Sequence, residues 1–283
     1  MTLFKKVATD QDREPVLRLL LAQRRQHSKA KNWVGVQLAI LVVLPMLAAT
    51  WTQFQGCPAG ITTLVSMITL IVDVVIVEPW IRESVEVAVN FQEQIDCSLF
   101  GLPWPVWKME PEIPAGQVCP ETKDELLVLV KEQNLLGWYK DPKTTRSPQH
   151  VILGLQKQNV FYSAQLRGGL LKIFIPFVLC LCLMGLIFAF FMKTQVSDLV
   201  ACPLVVMLPL FAWMLREIAK LRSFRLTASH LQNEMGRVAN QSFDPAILRN
   251  IQDEIIEFRK GSPVVFDFYY RWRRPKLEKA ISV

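Results

Sequence analysis

The residue most able to do chemistry in this chain is a carboxylate, Asp73, inside an apolar stretch at residues 61–79. Thr62, Ser66 and Thr69 precede it, and spacings of four, three and four place these side chains on one stripe of a helix. A carboxylate within a bilayer costs about 2.5–3.5 kcal/mol on insertion scales unless it faces protein or water. Two interpretations follow: the stripe lines a pore or cavity, or it makes interhelical hydrogen bonds or a local lysine pair that only assist assembly.

Motifs of enzyme active sites are absent from the sequence. It has no phosphate-binding glycine loop, no nucleophile elbow, no H-E-x-x-H motif and no paired histidines. We therefore predict that the protein is not an enzyme, has no catalytic residue and needs no cofactor. Of six cysteines, only Cys97 and Cys119 are expected together on one side of the membrane and outside the spans, which is too few for a zinc site. No metal site is predicted.

The stripe must be positioned by helices that cross a membrane. Hydrophobic residues make up 51% of the chain and are gathered into four blocks nearly free of charge. Each block is long enough for a helix to cross about 30 Å of hydrocarbon. We predict spans at residues 33–51, 61–79, 172–192 and 199–215. Tryptophans lie at or close to several predicted ends, where interfacial side chains are expected: Trp33, Trp51, Trp80 and Trp213.

The distribution of Lys and Arg predicts the orientation of these spans. Residues 1–32 carry eight, residues 80–171 nine and residues 216–283 thirteen, whereas hairpins 52–60 and 193–198 carry none and one. Because positive charge is retained inside, both termini and the central segment are predicted to be cytoplasmic. No cleavable signal peptide is expected, since the chain opens with a polar, charged stretch. The net charge of +7 is expected to face membrane lipids rather than a nucleic-acid polymer.

Helices are predicted outside the membrane as well, so the predicted fold class is an all-α integral membrane protein. Segment 1–32 contains an amphipathic helix that lies either on the membrane surface or on the cytoplasmic domain. The second and fourth spans are expected to continue as helical stalks, because no Gly or Pro interrupts the sequence soon after either of them. The central domain, 80–171, and the tail, 216–283, are predicted to be mostly helical.

Local signals refine the cytoplasmic segments. Asp244 before Pro245 offers a capping side chain and a first-turn proline, which predicts a helix start in the tail. That helix is expected to end at Gly261. Acidic residues of the central segment, such as Asp96, have spacings typical of a solvated surface.

Several runs of residues together resemble one known family. They are residues 22–33, 92–104, 137–139, 158–159, 162–167 and 251–259. The pattern is similar to that of the SMODS-associated four-transmembrane pore-forming effectors and covers nearly the whole chain. Its most specific part runs from Cys97 to Trp104. The chain departs from the family pattern at Gln156-Lys157 and at Ser163, so this member is expected to sense a different signal if those positions touch a ligand or partner.

The resemblance implies a bacterial antiphage effector in the inner membrane. It implies a cyclic oligonucleotide, made on infection by an associated nucleotidyltransferase, as the partner that opens or assembles the effector. It further implies that damage to the inner membrane causes abortive infection. Homo-oligomers are expected, because four helices of one chain are too few to enclose a wide aqueous channel. The alternative is a non-conducting, membrane-anchored regulatory or scaffold protein that recruits a cytoplasmic partner.

A site for such a ligand is expected to combine cations with stacking aromatic rings. The candidates are Arg82, Trp104, Lys108, Trp138, Tyr139 and Arg167. For each of them, packing or lipid contact is the alternative role.

Overall fold

The computed structural model describes residues 3–55, 60–142, 147–191 and 205–282, and within these ranges it contains no β-strand. The α-helices, in chain order, are α1 Leu3–Asp10, α2 Glu14–Gln55, α3 Gly60–Val72, α4 Glu78–Phe100, α5 Lys123–Glu132, α6 Pro148–Phe191, α7 Val205–Ala239, α8 Ala246–Lys260 and α9 Asp267–Ser282. A π-helical turn at Asp73–Val77 joins α3 to α4, and a 3-10 turn lies at Ala115–Gln117.

Three stretches of helix are long and apolar enough to cross a membrane: Glu14–Trp51, Gly60–Phe100 and Pro148–Met184. They contain the first two predicted spans and most of the third. Of the predicted fourth span, residues 199–204 lie outside the described residues, and the remainder forms the start of α7. The predicted fold class, an all-α integral membrane protein, is confirmed.

The chain divides into two compact units. The membrane unit comprises Ala30–Arg82 and Gly168–Arg222, and the extramembrane unit comprises Met1–Lys29, Glu83–Arg167 and Ser223–Val283. Four helices, α2, α4, α6 and α7, contribute residues to both units. Which side of a membrane the extramembrane segments occupy stays a prediction.

The membrane unit is polar inside and apolar outside. On α3, Thr62, Ser66 and Thr69 are buried, whereas Leu64 and Ile68 are about 60% exposed (61% and 59%). A water-soluble helix would place these side chains the other way round, because burial of apolar surface drives its folding. The arrangement instead matches a hydrocarbon surround, in which polar groups must find partners inside the protein.

The extramembrane unit has an ordinary apolar core. It is built from α1, the first part of α2, α4, α5, α6, α7 and α8, and includes Val7, Leu17 and Leu21, each at most 1% exposed. The N-terminal segment therefore packs into this unit. The segment forms two helices, α1 and the start of α2, whereas the sequence predicted one amphipathic helix.

The predicted helix start in the tail is present. The backbone N–H of Ala246 donates to Asp244 Oδ1 at 2.8 Å, and α8 runs from Ala246 to Lys260, directly before Gly261. The continuation of the second predicted span is also helical, since α4 extends to Phe100. The π-helical turn between α3 and α4 was not predicted, and it begins at Asp73.

Candidate functional site

Asp73 has partners on two other helices of the membrane unit. Its side chain is 1% exposed and forms an ion pair with Arg216 of α7. Gln37 of α2 donates from Nε2 to Asp73 Oδ1 at 2.5 Å, and the indole N–H of Trp213 donates to Gln37 Oε1 at 2.9 Å. These bonds join α2, the π-helical turn and α7 around one buried carboxylate. The partner of this carboxylate is thus an arginine of another helix and not a nearby lysine.

A second acidic residue extends this polar cluster. Glu78 forms an ion pair with Lys220, and Lys220 also pairs with Glu217 at 2.8 Å. Gln37 Nε2 lies 3.3 Å from Glu78 Oε2, so one amide connects both carboxylates. The cluster thus continues past Asp73 with one cation, Lys220, between two carboxylates, Glu78 and Glu217.

The hydroxyl residues of the stripe are enclosed within the chain. Thr69 donates its hydroxyl to the carbonyl of Val65 at 2.7 Å, which is the local backbone bond that threonine commonly makes in helices. Ser66 Oγ is buried and has no hydrogen-bond partner among the described residues. A buried hydroxyl without a partner costs about 1–3 kcal/mol.

A separate ionic network is buried in the extramembrane unit. Glu93 and Asp96 of α4 are both 0% exposed and are held by three residues of α8. Arg249 pairs with Glu93 at 2.9 Å, and Arg259 pairs with Asp96 at 2.7 Å. Gln252 Nε2 donates to Glu93 Oε2 at 2.7 Å and to Asp96 Oδ2 at 2.8 Å. Burial, together with the neighbouring charge of Asp96, nevertheless raises the pKa of Glu93.

Tyr139 closes the network. Its hydroxyl donates to Asp96 Oδ1, and Asn159 Nδ2 donates to the Tyr139 oxygen at 3.0 Å. Burial, together with the nearby charge of Asp96, raises the pKa of Tyr139 well above its usual range, so the phenol stays protonated and keeps donating. The predicted solvated position of Asp96 is wrong, because α8 encloses it with cationic and amide partners.

The extramembrane unit also contains an open cavity of about 550 Å³. Three cations lie on its wall, Lys131, Lys140 and Arg274, and three aromatic rings, Trp138, Tyr162 and Tyr270. The amides Asn134, Gln158 and Asn159 complete its polar surface. Among the described residues that line the cavity there is no carboxylate.

Of the six ligand candidates predicted from the sequence, the structure brings Trp138 to this cavity. Tyr139 is adjacent in the chain, but its side chain belongs to the buried network. Arg167 donates to the carbonyl of Pro263 at 2.9 Å and to Ser262 Oγ at 3.0 Å, and its guanidinium lies 5.1 Å from the Phe224 ring centroid.

The other three candidates lie elsewhere. Trp104 is half-buried and Lys108 is exposed, both in the segment between α4 and α5, and Arg82 is exposed in the membrane unit. The six candidates therefore do not form one site. The missed cavity residues come from the end of α5 and the turn after it, from α6 and from α9. For Tyr270 and Arg274 of α9, the mixture of aromatic and basic residues at 266–274 is a sequence signal.

The geometry defines a helical membrane protein whose spans enclose polar groups and whose extramembrane unit carries a cationic, aromatic cavity. A family model described as the SMODS-associating 4TM effector domain matches residues 5–283. The chain therefore belongs to this family of four-transmembrane membrane effectors. No curated protein and no solved structure matches the chain. The runs that resemble the family include Glu93, Asp96, Tyr139, Gln252 and Arg259 of the buried network.

Proposed function

We propose that this protein is the effector of a bacterial antiphage system, which forms or opens a pore in the inner membrane in response to a cyclic oligonucleotide. An associated nucleotidyltransferase supplies that signal, and the resulting damage to the membrane causes abortive infection. The protein works as a homo-oligomer, with both termini in the cytoplasm.

The observation that carries this proposal is the enclosed polar stripe of the membrane unit. Thr62, Ser66, Thr69 and Asp73 are each at most 2% exposed, while the opposite face of the same helix is apolar and exposed. Rotation or separation of α3 in an oligomer would present this stripe to water. Before that movement, the ion pair between Asp73 and Arg216 would act as a latch that stabilises the closed arrangement.

Dye release from liposomes tests the function directly. The purified protein is reconstituted with a trapped fluorophore, and cyclic dinucleotides and trinucleotides are added one at a time. Release that depends on one nucleotide supports a ligand-operated pore. No release with any of them supports the alternative, a non-conducting scaffold, for which the interhelical bonds of Asp73 would serve assembly alone.

Thiol labelling tests the stripe itself. Ser66→Cys is compared with Leu64→Cys, which lies on the exposed apolar face of α3, and the parent chain reports labelling of its native cysteines. A charged, water-soluble thiol reagent should label Ser66→Cys only after activation and should not label Leu64→Cys in lipid. Labelling of neither site in vesicles that release dye would show that the pore is lined by other residues.

The charge of Asp73 is tested by substitution. Asp73→Leu and Asp73→Asn should both change the rate of dye release, since each removes the charge that pairs with Arg216. Glu234→Leu is the matched control, because Glu234 pairs with Arg237 at 2.8 Å on the surface of the extramembrane unit. If both Asp73 variants release dye at the parent rate, Asp73 neither lines nor latches the pore.

A further inference from the structure

We infer that the cavity between α5, α6 and α9 is the receptor site for the signal, and that it binds a bis-phosphorylated nucleotide of the size of a cyclic dinucleotide. This inference rests on the proposed function for its biological meaning, although binding at the cavity is measured independently of any pore. The cavity volume of about 550 Å³ lies within the range of small-molecule sites, which is about 300–1,000 Å³.

The charges of the cavity select an anion. Lys131, Lys140 and Arg274 contribute three positive charges, and no described lining residue carries a negative one. Arg274 also donates from Nη2 to the carbonyl of Asn134 at 3.2 Å, which attaches its guanidinium to the turn after α5. Two phosphates facing three cations would form charge-assisted hydrogen bonds, the stronger class of such bonds.

The rings of the cavity select a base. Trp138 and Tyr162 lie with ring centroids 6.2 Å apart at an angle of 57°, so together they form two walls of a corner. Tyr270 lines the same cavity and is itself held by Arg24, whose guanidinium lies 5.9 Å from the ring centroid. Stacking on aromatic side chains contributes to the binding of any nucleobase, whereas a bare phosphate ion or pyrophosphate gains nothing from it.

The backbone of the turn after α5 determines which of its side chains line the cavity. Asn134 and Gly137 both have positive φ, at 52° and 60°, in the left-handed region. Between them Leu135 is 3% exposed and enters the core, which leaves Leu136 and Trp138 on the cavity wall. The Gly137 N–H donates to Asp12 Oδ1 at 3.0 Å and fixes the turn to the segment between α1 and α2.

A hydrogen-bonded connection runs from the cavity into the buried network. Asn159 lines the cavity and donates to the Tyr139 hydroxyl, which in turn donates to Asp96. A ligand that draws the Asn159 amide toward itself would remove one bond from that chain. Hydrogen bonds thus connect the cavity to Asp96 of α4 and, through Asp96, to Gln252 and Arg259 of α8.

Direct binding to the full chain in detergent micelles tests the site. Isothermal titration with 3′,3′-cyclic di-AMP, cyclic di-GMP and cyclic GMP-AMP should give saturable binding of at least one of them, with pyrophosphate binding far more weakly. Lys131→Met and Lys140→Met should each weaken that binding about tenfold or more, as expected for loss of one charge-assisted bond. Lys108→Met is the matched control, because Lys108 is an exposed cation outside the cavity, and its affinity should equal that of the parent.

Trp138→Leu tests the contribution of the base to binding separately from that of the phosphates. It should weaken cyclic dinucleotide binding about tenfold and leave the weak binding of pyrophosphate unchanged. If pyrophosphate competes as well as the nucleotide and Trp138→Leu has no effect, the site binds anions without a base and the inference is wrong. Saturable binding that all three cavity variants retain at parental affinity places the receptor elsewhere, and no binding by any of the three nucleotides also overturns the inference.

Dye release distinguishes failure of the cavity from failure of the pore. Nucleotide-triggered release that survives Lys131→Met and Trp138→Leu overturns the cavity and leaves the proposed function standing. Binding that these variants lose, in a protein that never releases dye, supports the cavity and contradicts the pore.

Discussion

At the scale of single residues, the two buried ionic clusters differ in what surrounds them. Asp73 lies in a unit whose outer surface is apolar, and its charge is met by Arg216 and Gln37 from two other helices. Glu93 and Asp96 lie in a unit with an apolar core and are met by residues of α8. Removal of one partner leaves the other charge buried without compensation, which is strongly destabilising.

A double-mutant cycle on Asp73 and Arg216 measures the first cluster. Asp73→Leu and Arg216→Leu should each lower the free energy of unfolding by about 2–3 kcal/mol, and the double variant should lose clearly less than the sum. Titration with a denaturing detergent in mixed micelles provides the measurement. The surface pair Glu234–Arg237 supplies the control cycle, with effects within about 0.5 kcal/mol. Additive losses at Asp73 and Arg216 would show that the two side chains do not interact.

Gln252→Leu tests the second cluster. The substitution removes both N–H donors that lie between Glu93 and Asp96, so the two carboxylates lose a shared partner. We expect the free energy of unfolding to fall by about 2–3 kcal/mol, followed by tryptophan fluorescence in urea. Gln241→Leu, in the exposed turn after α7, should change it by less than about 0.5 kcal/mol. Equal effects of the two substitutions would contradict the role given to Gln252.

At the scale of elements, the segment before α5 is attached to α2 by two arginines. Arg18 donates to the carbonyls of Cys119 and Glu121, both at 2.8 Å, and Arg25 donates to the carbonyl of Val118 at 2.8 Å and forms an ion pair with Glu121. This segment has little regular secondary structure, so it is held by these hydrogen bonds and by burial of Cys119 in the core. The attached residues lie between the 3-10 turn and the capped start of α5.

The Glu121 pair predicts acid sensitivity of this attachment. The hydrogen bond from Arg25 lowers the pKa of Glu121 from 4.5 to about 2. The unfolded chain therefore binds a proton at a higher pH than the folded one, so the stabilisation is complete above about pH 4.5 and is lost as the pH falls toward 2. Urea unfolding between pH 6 and pH 3 should show a fall in stability that is smaller in Glu121→Gln. An identical pH dependence in the variant and the parent would remove Glu121 as a cause.

At the scale of the whole molecule, the described part of the membrane unit keeps its polar stripe away from its outer surface. Its polar stripe is buried within the unit, and its outer face is formed by side chains such as Leu47, Leu64 and Leu179, 59–63% exposed. A conducting path therefore requires that the helices rearrange or that several chains surround one axis. Of these two routes, we expect the assembly of several chains.

The assembly prediction is tested by molecular mass in mild detergent. Light scattering on the size-separated protein should show an oligomer, either always or after addition of the activating nucleotide. The Lys131→Met variant should then need more nucleotide for any change that depends on ligand. A monomer both with and without an activator that binds would contradict the oligomeric pore.

The sequence alone determined the features that depend on near neighbours in the chain. Apolar blocks of span length predict membrane helices, since hydrocarbon thickness sets their length, and the four-three-four spacing places Thr62 to Asp73 on one stripe, which the structure shows to be buried. Asp244 before Pro245 likewise predicts the start of α8, because a cap acts within a few residues.

Only the tertiary structure decided which distant residues meet. Asp96 has the spacing of a surface carboxylate, yet Arg259 and Gln252 bury it from more than 150 positions away (sequence separations of 163 and 156). Arg216 reaches Asp73 across 143 positions, and the cavity joins Lys131 to Arg274. The local sequence pattern indicates which face of a helix is polar. The partner of a buried charge, however, depends on how the helices pack against one another. The spacing of side chains along one helix contains no information about this packing.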